Sequence, residues 1–192
     1  MSQTDLSGMK RVVEAAARKG VELDIRVLGG AVHGVDEAAA AVGTDPRHVV
    51  QAVVFAVSHL GAPASPIVCL VSGRDHVDPG LLAAVLGETT VRRATPTEVL
   101  DFTGFPAAVV PPFGFPRSVR VVMDQDLGSS EWLWAVAGSD TAMLRLTPGV
   151  LRMLSNAMVT PLAAAPWVAP AAVQNSVGAL EALLRLDAAS QA

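Results

Sequence analysis

The chain has 192 residues, a formal net charge of −4, and a composition that is 51% hydrophobic and 17% charged. That length suits one domain with a sizeable core, and no apolar run reaches the ~20 residues that would span a bilayer. The acidic balance argues against a general DNA or RNA binder with a basic face, though not against a protein that touches only the end of a nucleic acid. The single cysteine, Cys69, lies in the strand-like run PIVCLVS and reads as a buried small hydrophobe rather than a nucleophile. An internal disulfide is therefore excluded, which suits a reducing cytoplasm.

In chain order, Leu6, Met9, Val12, Val13, Ala16 and Ala17 recur at helical spacing, and Gly20 stops that helix. The same segment reads as an amphipathic helix and lacks the apolar centre of a secretion signal. Val21 to Val27 alternates apolar with polar, the pattern of a strand with one wet face. Asp36 is placed to cap a short helix through Val42 that Gly43 ends. Val49 to Ser58 and Pro66 to Ser72 are β-branched runs, expected as an antiparallel pair in the middle of a sheet. Asp78 caps a helix over Pro79 to Leu86, Thr89 to Arg93 is a short strand, and Thr95-Pro96-Thr97-Glu98 opens another helix by a capping box. Strands follow over Ser118 to Asp124, Trp132 to Ala137 and Thr141 to Leu146, then a helix from Thr147-Pro148 through Leu154. Residues 163–192 read as a Pro/Ala-rich linker and a last helix, from about Ala171 to Leu186, for packing or for pairing two copies of the chain. The expected fold is α+β, a mixed, curved central sheet with surrounding helices, in a domain over 1–162 whose core is 21–154.

The chemistry-bearing residues are few. Thr103 to Gly114, TGFPAAVVPPFG, is a loop punctuated by glycine and proline with small residues between. Such a loop can bring backbone N–H groups close to a ligand, or can be no more than a turn between helix and strand. The four histidines show no metal-binding spacing, so no metal and no cofactor are expected. His48 falls just before the central strand, where it would lie near a pocket mouth, although a lone histidine is more often structural. Asp101 precedes the loop and is placed to organise it, and Asp124 reads as a turn cap; neither has a partner carboxylate for paired acid–base work. No G-x-S-x-G occurs. Arg92, Arg93, Arg117 and Arg120 are candidates for phosphate contacts, with surface solvation the commoner explanation. Trp132 and Trp134 alternate, so they would point the same way, to stack on a base or to pack.

The Thr103–Gly114 loop, read together with DPRHVVQAVVFAV over Asp45 to Val57, resembles the YbaK/EbsC family of aminoacyl-tRNA deacylases, which includes the editing domain of bacterial prolyl-tRNA synthetases. The resemblance covers roughly Val21 to Leu154, through DEAAAAVG at Asp36 to Gly43, RDHVDPGLLAAVLG from Arg74, ATPTEV before Thr103-Gly104, VMD ending at Asp124 and AVAG ending at Gly138. It implies hydrolysis of the ester joining an amino acid to the terminal ribose of a mischarged tRNA, by positioning ester and water and stabilising an oxyanion. It assigns catalytic places to Gly104, to Ala108, where the family usually has glycine, and to Gln51. The family's K-T/S-L-V pattern puts a lysine at that last position, where this chain reads Gln51-Ala52-Val53-Val54. Phe105, Pro112 and Gly114 of the loop, and Gly138 and Ser139 as a second glycine turn, are implied substrate-binding residues beside His48.

The function expected is a cytoplasmic trans-editing deacylase serving translation fidelity. Its partners would be the aminoacyl-tRNA acceptor end and, for delivery, a synthetase, with neither DNA nor membrane. The alternative is an inactive relative that binds aminoacyl-tRNA 3′ ends or a small amino-acid-like ligand. Gln51 bears on both, because it can donate hydrogen bonds without bringing charge.

Overall fold

A computed structural model describes residues 3–58, 63–88 and 90–163. The expected linker and last helix therefore lie outside the described residues, apart from Ala163. The described elements are helices α1 (Gln3–Ala17), α2 (Val35–Val42), α3 (Pro79–Leu86), α4 (Pro96–Thr103) and α5 (Pro148–Ser155). The strands are β1 (Asp24–Val27), β2 (Val50–Val57), β3 (Ser65–Ser72), β4 (Val91–Arg93), β5 (Arg120–Asp124), β6 (Leu133–Ser139), β7 (Ala142–Leu146) and β8 (Met158–Thr160).

The fold is α+β with a mixed sheet. Five strands run in the order β4-β2-β3-β5-β8, antiparallel from β4 to β3 and parallel from β3 to β8. A second, antiparallel sheet has the order β1-β7-β6, and a parallel bridge between Val49 and Trp134 joins it to the foot of β2. The continuous apolar runs of β2 and β3 follow from burial on both faces. Val50 and Val54 pack with Val68, Leu70 and the three-stranded sheet, whereas Phe55 and Val57 pack with Ile67, Cys69, Val71 and Leu82. Burial in this second layer pushes the Cys69 thiol up to about 12.

Local signals account for most boundaries. The Asp78 carboxylate accepts from Gly80 N and Leu81 N, and the Thr95–Glu98 capping box is complete. Thr147 caps α5 through Val150 N. Other expectations are corrected. Asp36 lies in the first turn of α2 rather than at its cap; Gly34 takes that place at φ 97°, and Glu37 reaches back to accept from His33 N. Strand β1 begins at Asp24 because Val21 N is spent on Ala16 O, closing α1. The buried stripe of α1 is Gly8, Val12 and Ala16, while Leu6 and Val13 are 51% and 43% exposed. Trp132 precedes β6 rather than opening it. The edge strand β8, only three residues long, is unannounced in the sequence.

Candidate functional site

The strand pattern leaves a gap in the sheet where β2 begins. Val49 O accepts from Gly73 N, and Val54 O accepts from Ala94 N. Odd residues of β2 therefore bond towards β3 and even ones towards the other side. On that side β4 pairs only with Phe55 to Val57, so the backbone N–H and C=O of Ala52 have no strand partner. The 3-10 turn Ala107–Val109 faces this gap. Two cavities, of about 130 and 220 Å³, share Gln51, Ala52, Ala107 and Val110 as lining. The first is completed by α2 with Gly34, Val35 and Ala38, and by Ala108; the second extends to Arg93.

Gln51 brings the only polar side chain to the lining of the first cavity. Its Nε2 donates to Gly73 O at 3.0 Å. Gly73 itself has no room for a Cβ, which would overlap Val35 Cγ1 and crowd the Pro46 carbonyl. A glycine is thus required there to seat the acceptor of Gln51, although its sequence setting, Ser-Gly-Arg, marks only a turn. Arg93 is exposed, whereas its neighbour Arg92 is committed to Glu98 by two hydrogen bonds of 2.6 and 2.8 Å. That pair holds the Glu98 carboxyl down to about 2, helped by the Thr95 N–H.

The loop from Thr103 divides into two parts. In the first, Gly104 ends α4 at φ 70°, its carbonyl accepts from Arg11 Nη2 at 2.8 Å, and a Cβ would fall 2.7 Å from Arg11 Nη1. Phe105 is fully buried, with the Arg11 guanidinium 4.1 Å from its ring centre, and Thr103 Oγ1 accepts from Phe105 N. Gly138, at φ 79°, meets the backbone of Gly8, and a Cβ there would fall 2.8 Å from the Phe105 ring. Ser139 is buried and its hydroxyl is paired with that of Thr141. In the second part, Ala107 and Ala108 are exposed at the cavity. Pro112 is buried, and Gly114 borders a separate cavity beside α1.

The structure therefore brings Gln51 and Ala108 together and sets Gly104, Phe105 and Gly138 beneath α1, with Ser139 buried next in the chain. His48, its Nδ1 3.3 Å from Thr44 Oγ1, lines another hollow with Trp132, Trp134, Arg26 and Arg145. There Arg145 lies 4.8 Å from the Trp132 ring centre and 5.9 Å from that of Trp134. Both indoles face one side, as their spacing predicts, and arginines already occupy their faces. Asp124 does more than cap a turn: its buried carboxylate accepts from Asp126 N, Leu162 N and Ala163 N. The apolar wall from α2 and Val136, the bare edge of Ala52 and the role of Gly73 had no sequence motif. Only the register of β2 against β3 and β4 reveals them.

Known proteins share this fold. A crystal structure assigned as a candidate trans-editing enzyme for prolyl tRNA synthetase superposes with a TM-score of 0.75 at 32% identity, over 86% of this chain and 99% of that one. A second, of a hypothetical protein 23% identical, shares the fold with a TM-score of 0.73 over 80% of this chain and 99% of the other. Among curated proteins, the proline–tRNA ligase of Aquifex aeolicus is 26% identical over 119 residues, 62% of this chain and 20% of the ligase. That of Limosilactobacillus fermentum is 28% identical over 106 residues, 55% of this chain and 18% of the ligase. The chain thus spans about one fifth of the length of these ligases. The family model described as the aminoacyl-tRNA editing domain matches residues 30–154, which contain α2, the open edge of β2, the 107–109 turn and every residue of both cavities. The chain belongs to the aminoacyl-tRNA editing domain family.

Proposed function

We propose that this chain is a trans-acting deacylase that hydrolyses the ester of misacylated tRNA at the Gln51–Ala108 cavity. The observation that carries the reading is the meeting of an unpaired strand edge at Ala52 with the small-residue turn at Ala107–Ala108, across a volume of about 130 Å³. No titratable side chain lines that volume. Chemistry there rests on water as nucleophile, the neighbouring ribose hydroxyl, and backbone N–H groups that meet the developing oxyanion. An ester suits so spare a site because its alkoxide leaves without strong acid catalysis. The Ala52 carbonyl, left without a strand partner, would accept from the α-ammonium of the aminoacyl group. Gln51 would position the end of the substrate, with Arg93 at the adjoining cavity supplying the positive charge that Gln51 lacks.

A second reading is favoured by the Gln51 side chain, whose Nε2 already donates one hydrogen bond within the protein, to Gly73 O. On that reading the site binds aminoacyl-tRNA ends or a small amino-acid-like ligand without cleaving it. Single-turnover deacylation of tRNAs charged with alanine, cysteine, serine or proline separates the two. Hydrolysis by the natural chain, lost in Ala108→Trp, supports the enzyme; binding without hydrolysis of any ester supports the binder.

A further inference from the structure

Charge is unevenly spread over this acidic chain. Most described cations are engaged: Lys10 with Glu14, Arg47 with Asp45, Arg74 with Asp36, Arg92 with Glu98 and Arg145 with Asp24. Arg11 and Arg26 are held by backbone carbonyls and aromatic rings. Among the described residues, the arginines given no side-chain partner are Arg18, Arg93, Arg117, Arg120 and Arg152. Two of these, Arg18 at the end of α1 and Arg117 before β5, line one cavity of about 260 Å³ together with Lys19, Ser118 and Asn156. No aspartate or glutamate lines it. Arg120 lies three residues beyond Arg117, and Arg152 lies on α5, whose end forms one wall. Lys19 fixes that wall by donating to the carbonyls of Met153 and Leu154 at 2.6 and 3.2 Å.

Unpaired guanidinium groups beside a hydroxyl and an amide, with no carboxylate in the lining, form a receptor for a phosphate oxyanion. The position is also informative. Gly114 borders this cavity while Ala108 borders the candidate catalytic one. The six residue-to-residue steps between them span at most about 22 Å, a distance an acceptor strand crosses in a few nucleotides.

We propose that the Arg18–Arg117 cavity is a phosphodiester subsite, which grips the acceptor strand of a tRNA whose aminoacyl end lies at Gln51 and Ala108. The proposal rests on the deacylase reading for the identity of the RNA but not for the binding itself. Phosphate contacts hold register without reading sequence, so the subsite fixes where the ester lands and leaves selectivity to the apolar cavity.

The test measures the affinity of the full chain for uncharged tRNA across a salt series, in the natural protein, Arg18→Ala/Arg117→Ala, Arg18→Lys/Arg117→Lys and Arg47→Ala. The alanine pair should bind roughly tenfold more weakly at low salt, and its log Kd against log salt should flatten by about 0.7–0.9 per arginine removed. The lysine pair should keep most of both, and Arg47→Ala, on another face, should change neither. Hydrolysis of an aminoacyl ester of adenosine alone, which lacks those phosphates, should be equal in the natural and alanine-pair proteins. Unchanged tRNA affinity and salt slope in a folded alanine pair would overturn the subsite while leaving tRNA deacylation intact. Inorganic phosphate binding that depends on both arginines, with tRNA binding that does not, would also overturn it. Weakened tRNA binding in a protein that cleaves no ester would keep the subsite and remove the deacylase reading.

Discussion

The two parts of the Thr103–Gly114 loop share a composition and differ in use. Gly104 and Phe105 sit under α1, where Gly8, Gly138, Arg11 and the Phe105 ring meet so closely that Cβ atoms at Gly8 or Gly138 have no place. Ala107 and Ala108, a few residues on, face open volume. The contrast shows that a glycine marks a close approach without saying what approaches. Here Gly104 of the first part, with Gly8 and Gly138, admits the protein's own helix, and the alanines of the second leave room for a ligand.

Changes at the packed crossing should act on stability. Gly138→Val forces a side chain into the Phe105 ring and the Gly8 backbone at positive φ, and should cost roughly 3–5 kcal/mol by denaturant unfolding. Ala108→Trp should do the opposite. Stability should hold within about 0.5 kcal/mol because the side chain is exposed, while single-turnover deacylation should fall by roughly a hundredfold as the ester is displaced. Gln51→Lys restores a charge-assisted contact and should tighten tRNA binding by about tenfold. Gln51→Ala leaves Gly73 O without its donor and should weaken binding more than it slows the chemical step.

The smallest effect is that of pH on the start of α4, the helix that delivers Gly104. Glu98 titrates at about 2 in the folded chain against an ordinary 4.5. Its contribution is therefore present above the ordinary value and fades as pH falls from about 4.5 towards about 2. The Tm gap between the natural chain and Glu98→Gln should narrow over that window, and it should be modest throughout because the pair is exposed to solvent.

Local chemistry wrote much of this fold into the sequence. The Asp78 and Thr95 caps, the Gly43 stop and the β-branched runs of β2 and β3 all stand where spacing places them. What escaped depended on partners far along the chain. The buried face of α1 is set by its crossing at Gly138, not by its most apolar stripe; β8 exists because β5 offers it an edge. The cavity was legible only in part. Gln51 and Ala108 stand out against a family pattern, whereas the free edge at Ala52 is a consequence of β4 ending at Arg93, which no local motif encodes.

The central claim is that ester hydrolysis occurs at the open half of the loop. Single-turnover deacylation of mischarged tRNA by folded Ala108→Trp, beside the natural chain at matched stability, tests it most directly. The account predicts cleavage by the natural chain and its near-complete loss in the variant. Undiminished cleavage by Ala108→Trp would place the chemistry elsewhere and contradict the account.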